Sequence, residues 1–180
     1  MRVEAIREQD ISKVIRYLKR HKDTRRYCMF ILGINTGLRV GDLVGLKVGD
    51  LRNRDYLIVV EKKTEKRRRL IINQDIKNML EEYYQESNKK DYLFPSQKNG
   101  YISEIQVWRW FKEIKKECRI KYNIGTHSMR KSLGRKAIEK NKIEVVQKML
   151  GHSSQRNTLE YLGIEQETVD EAMLNIGWQN

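Results

Sequence analysis

The chain has very little cysteine and proline, and neither residue forms a pattern. Its 180 residues include two cysteines, Cys28 and Cys118, and one proline, Pro95. Two distant cysteines in helical patterns make neither a disulfide framework nor a metal-binding set, and they indicate a reducing compartment. No Pro-rich or Ser-rich linker, internal repeat or low-complexity tract divides the chain. The sequence therefore predicts one domain spanning residues 1–180.

Long apolar runs are also missing. No run approaches the ~18 residues that a membrane span requires, and the first ten residues, MRVEAIREQD, lack the apolar region of a signal peptide. We therefore expect a cytoplasmic protein that has no membrane partner. Hydrophobic residues still make up 39% of the chain, so it can bury a core without disulfide or metal staples.

Positive charge is what the chain has in excess. It contains 37 Lys and Arg against 24 Asp and Glu, a net charge of +13, and basic residues cluster at 16–26, 62–69 and 112–121. This excess predicts a polyanionic partner, with nucleic acid as the first choice. An anionic membrane would require a basic amphipathic helix with a free apolar face, and no segment has one. The alternative is that the charge only maintains solubility.

Hydrophobic spacing and turn residues predict a mainly α fold with a small antiparallel β-sheet, in the α+β class. Helices are expected at Glu8–Arg20, Arg25–Asn35, Val40–Leu46, Ile76–Tyr84, Ile105–Cys118, His127–Glu139, Ile143–Leu150, Gln155–Leu162 and Glu167–Ile176. Strands are expected at Tyr56–Val60 and Arg69–Ile72, joined by a charged hairpin tip at 61–68. Trp108 and Phe111 share a helical spacing and are expected in the core.

The segment 126–161 concentrates side chains that can carry chemistry. His127 and Arg130 lie three residues apart, so a helix would place both on one face. His152 follows a Leu-Gly turn, and Tyr161 comes nine residues later. Two histidines, an arginine and a tyrosine together predict a site for an oxyanion and a hydroxyl nucleophile.

Arg39 and Asp42 lie far upstream, at a junction between two predicted helices. Arg39 follows the glycine that ends the first of these helices, so its guanidinium is expected to project from the start of the next one. Asp42 is three residues further on and is expected to orient it. The rival interpretation is an ordinary ion pair at a helix end.

Five motifs in a fixed order resemble the tyrosine recombinases, also called the phage integrase family. They are TGLRVGDLVGL at 36–46, the Lys-Lys-Thr of 62–64, THSMR at 126–130, LGHSS at 150–154, and the late Tyr161. The order Arg, Lys, His-x-x-Arg, His, Tyr matches the active site of that family. The match runs from about the first helix to just past Tyr161.

The resemblance implies site-specific DNA recombination or integration by transesterification, as in mobile elements. Tyr161 would attack a DNA phosphodiester and form a 3′-phosphotyrosyl bond. Arg39 and Arg130 would bind the non-bridging oxygens, where negative charge develops. Lys63 would protonate the leaving 5′-oxygen, with Lys66 as the alternative donor.

The remaining implied roles concern the two histidines and Asp42. His127 would assist proton transfer from the tyrosine, His152 would donate a hydrogen bond to the phosphate, and Asp42 would support the site without touching DNA. Side chains supply the charge stabilisation, so no metal or other cofactor is expected. Consistently, neither histidine belongs to a pattern with zinc-ligand spacing.

Double-stranded DNA is the expected partner. The basic side chains expected to contact its backbone, unless they only form a solvated surface, are Lys62, Lys66, Lys131, Arg135 and Lys136. The family also implies a homo-oligomer, a tetrameric synapse, on DNA. The core-binding and arm-binding domains usual in the family have no counterpart in these 180 residues, so a full-length recombinase is a further expected partner.

Three matters stay open in the sequence. The apolar positions Val169, Met173, Leu174 and Ile176 are able to cover either this chain's own core or a neighbouring protomer. The same chemistry would also serve a type IB topoisomerase-like activity that relaxes DNA. A non-catalytic DNA-binding regulator of a full-length recombinase is the third possibility.

Overall fold

A computed structural model of the chain describes residues 3–164 and 173–174 and divides the chain into two compact units, Met1–Leu133 and Gly134–Asn180. The elements are α1 (Glu8–Arg20), α2 (Thr24–Thr36), α3 (Val40–Leu43), α4 (Val48–Leu51), β1 (Tyr56–Val60), β2 (Arg67–Ile71), α5 (Gln74–Tyr84), α6 (Glu104–Glu117), α7 (Thr126–Ile138), α8 (Ile143–Leu150) and α9 (Gln155–Leu162). The predicted mainly α fold with a small antiparallel sheet is confirmed. The predicted last helix lies outside the described residues, except for Met173 and Leu174, which are both exposed.

Helix α2 is the central element of the first unit. Residues 27–33 are all buried, so this helix is covered on every side, as expected of a helix that is apolar all round. It packs against α1, α3 and α5, and the core around it includes Phe30 and Phe94. Asp23 caps its start by accepting a hydrogen bond from the Arg26 N–H.

Two glycines let α7 come close to the end of α2. A Cβ on Gly33 would lie 2.0 Å from the Met129 sulfur, so any larger residue would force the Met129 side chain to move. Gly37 ends α2 in the left-handed region at φ +60°, a conformation that favours glycine. The carbonyl of Gly37 is thereby left available to a partner from α7.

The β-hairpin carries a short, tightly folded tip. Its register runs from Tyr56 opposite Ile71 to Val60 opposite Arg67, so β2 begins two residues earlier than predicted and the tip shortens to 61–66. The Glu61 N–H donates to the Lys66 carbonyl at 3.1 Å and closes the tip. Leu57 and Arg68 face inward. The start of β2 differs from the prediction because Arg68, a charged residue, occupies the inner face of the strand, where an apolar residue is expected.

Two other sequence expectations for the first unit were wrong. The helix predicted at Val40–Leu46 ends at Leu43, and α4 follows it after a short turn. Trp108 is 48% exposed, whereas Trp110 is buried at 6%. The buried face of α6 runs through Trp110 and Phe111, and Trp108 stands beside this face with the Lys112 ammonium 3.9 Å from its ring centroid.

The second unit is built on α8 and α9, which pack against each other. Its core consists of Ala137, Val146, Leu150 and Leu162. Gly151 and Gly163 end the two helices in the left-handed conformation, and both helices begin and end where the sequence predicts. No helix in the described part of either unit is long and apolar enough to cross a membrane.

Candidate active site

A basic cleft of about 230 Å³ opens in the first unit between the start of α3, the hairpin tip and the start of α7. We call it the arginine cleft. The polar side chains that line it are Arg39, Asp42, Lys62, Lys63, Glu104, Thr126, His127 and Arg130. Four of the six side chains predicted to carry the chemistry therefore lie in one cleft, although up to 91 positions separate them in the sequence.

Arg130 is fixed from beneath the cleft. It is 2% exposed, and its Nη1 donates to the Gly37 carbonyl at 2.5 Å. The glycine that ends α2 therefore also holds an arginine of α7. A guanidinium carries its five N–H donors in a planar fork, and this bond fixes the orientation of that fork at the lining of the cleft.

Arg39 stands at the N-cap of α3, in extended backbone conformation, so its side chain leaves the helix start as predicted. Asp42, however, does not orient it. The Arg39 Nη1 donates instead to Glu61 Oε2, which comes from the hairpin tip.

Glu61 is the centre of the charge network beside the cleft, and it is fully buried. Besides Arg39, its carboxylate accepts from Arg68 Nη1 at 2.6 Å and Thr64 Oγ1 at 2.8 Å, and Arg130 Nη1 lies 3.8 Å away. Burial alone would raise the pKa of this carboxyl. The hydrogen bonds from Arg68, Thr64 and Arg39 outweigh burial and lower the pKa to about 2, so Glu61 is ionised at neutral pH.

Asp42 ties the hairpin tip to α3. Its Oδ1 accepts from the Lys62 N–H at 2.9 Å, and the residue is 5% exposed. Its Oδ2 is buried and, among the residues described, has no hydrogen-bond partner. Asp42 and Glu61 both attach the hairpin tip to the start of α3, Asp42 through the Lys62 N–H and Glu61 through Arg39. These contacts fix the position of the backbone from which Lys62 and Lys63 extend.

Lys63 follows directly and lines the arginine cleft, as its predicted role requires. The alternative, Lys66, is exposed at the far side of the tip and does not line the cleft. Lys62 also lines the cleft, with its ammonium 3.2 Å from the Tyr101 hydroxyl.

His127 lies at the cleft in the first turn of α7, where it is exposed to solvent on one side. Partial desolvation lowers the pKa of its ring below the ordinary value of 6.5, and the charges of Arg130, Arg39 and Lys63 act in the same direction. The ring is therefore neutral at pH 7 and able to accept a proton.

His152 and Tyr161 belong to the second unit, where they lie against each other. Their ring centroids are 5.0 Å apart in an edge-to-face arrangement, and both residues are half-buried. His152 Nδ1 lies 3.1 Å from the buried Thr158 hydroxyl, so α9 holds both the tyrosine and the partner of the histidine.

Of the basic residues expected on an exposed DNA-binding face, one is buried, and another is exposed but bonded to the end of a helix. Lys131 is only 6% exposed, because residues 128–132 are all buried and both faces of this part of α7 are covered. Arg135 donates from Nε to the Leu162 carbonyl at 2.7 Å and from Nη2 to the Gly163 carbonyl at 2.8 Å. It therefore caps the end of α9, next to Tyr161. Lys62, Lys66, Arg135 and Lys136 are all exposed, as expected.

Sequence reasoning missed two acidic residues. The sequence places Glu61 only in a polar hairpin tip, because its burial depends on Arg39 and Arg68, which no local pattern connects to it. Glu104 brings a negative charge to the lining of the arginine cleft. It packs so closely on Gly41 that a Cβ added to this glycine would lie 2.7 Å from Glu104 Oε1. No group of three or more His, Cys, Asp or Glu side chains suited to a metal ion occurs in the described ranges.

Comparison with known proteins gives curated relatives along nearly the whole chain. A probable integrase/recombinase, YoeC of Bacillus subtilis, is 37% identical over 169 residues, 92% of this chain and 92% of that protein. A tyrosine recombinase of Thermosipho africanus is 29% identical over 166 residues, 91% of this chain but only 58% of that protein. The match thus spans most of YoeC but only a little over half of the second relative.

Solved structures show the same fold at lower identity. The crystal structure of XerA recombinase matches with a TM-score of 0.79 at 22% identity, covering 98% of this chain and 66% of that one. A lambda integrase tetramer bound to a Holliday junction matches with a TM-score of 0.72 at 19% identity, covering 89% and 48%.

The family model for the phage integrase family matches residues 4–167. This range contains the whole arginine cleft and both His152 and Tyr161. The chain therefore belongs to the phage integrase family.

Proposed function

We propose that this chain is a DNA strand transferase that cuts and rejoins duplex DNA through a covalent phosphotyrosine, in site-specific recombination or integration. The observation that carries the proposal is the arginine cleft, which gathers Arg39, Arg130, Lys63 and His127 around one space. Two guanidiniums and an ammonium in a small cleft suit a phosphodiester and the extra negative charge of its transition state.

In the proposed reaction, the Tyr161 hydroxyl oxygen attacks the phosphorus and the bond to the 5′-oxygen breaks. The tyrosine proton passes to neutral His127, and Lys63 gives a proton to the leaving 5′-oxygen. Arg39 and Arg130 bind the non-bridging oxygens, and His152 donates a further hydrogen bond. The DNA is then joined to Tyr161 through its 3′-phosphate.

Rejoining is the same reaction in reverse. A 5′-hydroxyl attacks the phosphotyrosine and releases Tyr161, so the energy of the original bond is retained and no nucleotide is consumed. Attack by the original strand restores the substrate, whereas attack by a different strand recombines it.

Duplex DNA is the proposed substrate, and a tetramer on DNA is the proposed assembly. The net charge of +13 supports the first, since cations bind DNA by displacing its counterions. The likeness to the lambda integrase tetramer bound to a Holliday junction supports the second.

The test is covalent trapping on a suicide duplex, in which a nick lets the short 5′-hydroxyl fragment diffuse away after cleavage. The wild type is expected to form an adduct that resists denaturing gel electrophoresis and contains Tyr161 in its labelled peptide. Tyr161→Phe removes the nucleophile while preserving the ring packing against His152, so no adduct is expected. Tyr83→Phe, on α5, is the matched control and keeps the adduct.

Adduct formation by Tyr161→Phe would disprove the assignment. DNA binding by the wild type without an adduct on any half-site would support a non-catalytic regulator instead. Relaxation of supercoiled plasmid that lacks a recombination site would favour the topoisomerase-like activity over site-specific exchange.

A further inference from the structure

We propose that Glu61 is a positioning residue, whose buried carboxylate holds the Arg39 guanidinium in the orientation in which it meets the scissile phosphate. This inference rests on the proposed function. It concerns an acidic side chain behind the arginine cleft, which does not itself touch DNA.

The two oxygens of Glu61 are divided between two tasks. Oε1 accepts from Arg68 at 2.6 Å, and Arg68 is buried on the inner face of β2. Oε2 accepts from Arg39 Nη1 and from Thr64 Oγ1. Thr64 belongs to the tip and Arg68 to a strand, so both fix the carboxylate in place. The remaining acceptor position is directed at Arg39.

Arg39 is the less constrained of the two cleft arginines. It is 21% exposed, against 3% for the Arg130 side chain, and Glu61 itself is fully covered. An arginine at an open helix start has many rotamers, and a bond at Nη1 selects among them. The other guanidinium N–H groups then remain for a ligand in the cleft.

The charge balance allows Glu61 to anchor Arg39 without cancelling the attraction for phosphate. One carboxylate meets three arginines, Arg39, Arg68 and Arg130, so this group keeps an excess of two positive charges. Despite burial, the hydrogen bonds from Arg68, Thr64 and Arg39 hold the pKa of Glu61 at about 2, so the anchoring carboxylate stays ionised at neutral pH.

Two rival roles for Glu61 make different predictions. In the first, Glu61 only neutralises buried Arg68, and the contact with Arg39 has no consequence. In the second, Glu61 competes with the phosphate for Arg39 and slows the reaction. A set of three variants separates these roles: Glu61→Gln, Arg68→Gln and the double variant.

Two measurements are made on each variant. Single-turnover adduct formation at saturating suicide DNA reports the chemical step, and the DNA dissociation constant, measured in the Tyr161→Phe background, reports binding. Positioning predicts that Glu61→Gln lowers the cleavage rate about 100-fold, as expected when a donor to the transition state is misaligned. Binding should be unchanged or tighter, because a negative charge is removed.

Arg68→Gln serves as the control for lost ion pairing, and it should retain most of the cleavage rate because Glu61 still holds Arg39. The double variant removes both charges of the Glu61–Arg68 pair. It should therefore recover thermal stability but cleave as slowly as Glu61→Gln. Recovery of cleavage in the double variant would reduce Glu61 to a partner of Arg68. Cleavage at or above the wild-type rate in Glu61→Gln would also overturn the proposal.

A third readout does not depend on cleavage. Phenylglyoxal labels accessible guanidiniums, and peptide mass spectrometry can follow Arg39 alone. Its labelling should be slow in the wild type and in Arg68→Gln, and faster in Glu61→Gln and the double variant. Equal labelling in all four proteins would refute the anchor, whereas an inactive wild type with this labelling pattern would leave the anchor standing and count against the proposed function.

Discussion

His127 lies in the arginine cleft, where partial desolvation and the charges of Arg130, Arg39 and Lys63 determine its protonation state. Its pKa is lowered from the ordinary value of 6.5, so the ring takes up a proton at a lower pH than an ordinary histidine does. A ring that is already protonated cannot accept the proton of Tyr161.

The cleavage rate should therefore be constant near pH 7 and decrease as the pH falls through the lowered pKa of His127. His127→Gln should be slower by about 10²-fold or more and should lose this acidic decline, measured by single-turnover trapping at saturating DNA. His21→Gln controls for the substitution itself, because His21 is an exposed histidine at the end of α1 and does not line the arginine cleft. An unchanged acidic limb in His127→Gln would assign the titration to another group.

The hydrogen bonds of Thr158 determine whether Nδ1 of His152 carries a proton. Thr158 Oγ1 lies 3.0 Å from the Ser154 carbonyl and 3.1 Å from His152 Nδ1, but a hydroxyl has only one hydrogen to donate. Both contacts are hydrogen bonds only when Thr158 donates to Ser154 and His152 donates from Nδ1. With Nδ1 protonated, donation to a phosphate from Nε2 requires the charged imidazolium.

Thr158→Val should remove this control while preserving the shape of the buried side chain. Cleavage is expected to slow about fivefold, equivalent to the ~1 kcal/mol that one hydrogen bond contributes. In a His152→Gln background the same change should have no further effect, because the two residues act as one unit. Ser153→Ala, at a nearby exposed hydroxyl, is the control, and additive losses in the double variant would refute the coupling.

At the scale of elements, α8, which precedes His152, and α9, which carries Tyr161, were predictable because the residues that begin and end them are local in the sequence. Gly151 and Gly163 end α8 and α9, and Ser154 caps α9. The start of β2 was not predictable, since Arg68 faces inward only because Glu61 lies beside it. The cleft residues themselves were found through their motifs, whereas Glu61 and Glu104 have no motif and owe their position to tertiary packing.

Helix α9 also depends on a residue from α7. Arg135 donates two charge-assisted hydrogen bonds to the carbonyls at 162 and 163, which a helix end otherwise leaves unsatisfied. We expect Arg135→Met to loosen the end of α9, with faster hydrogen exchange of the amides around 161–164 and slower adduct formation.

The matched control for this change is Lys140→Met, which removes an exposed positive charge beyond the end of α7. Because Arg135 is occupied by the helix end, Arg135→Met should leave the salt dependence of DNA binding unchanged. A shallower salt dependence would show that Arg135 contacts phosphate after all.

At the scale of the whole molecule, the excess of positive charge should dominate DNA affinity. Each phosphate that a cation neutralises contributes about 0.9 to the slope of log affinity against log salt concentration. Removing Lys62 and Lys66 together by Lys→Met changes should lower the slope by about 1.8, measured by fluorescence anisotropy in the Tyr161→Phe background. The exposed pair Lys89 and Lys90, changed likewise, is the comparison, and an equal loss there would indicate a diffuse charge effect instead of a hairpin contact.

The first unit is closed by bonds between its two sequence ends, and this has a consequence for its synthesis. The Ile6 N–H donates to Ser132 Oγ, and Tyr122 donates to Asp10, across 126 and 112 positions; Arg130 reaches Gly37 across 93. Contacts this distant in sequence form slowly. On the ribosome, α1 and α2 emerge long before their partners in α7, so the arginine cleft assembles only when translation of the unit is nearly complete. Nascent chains shorter than about 130 residues, with their core helices still unpartnered, are therefore the stage at which chaperones have most to protect.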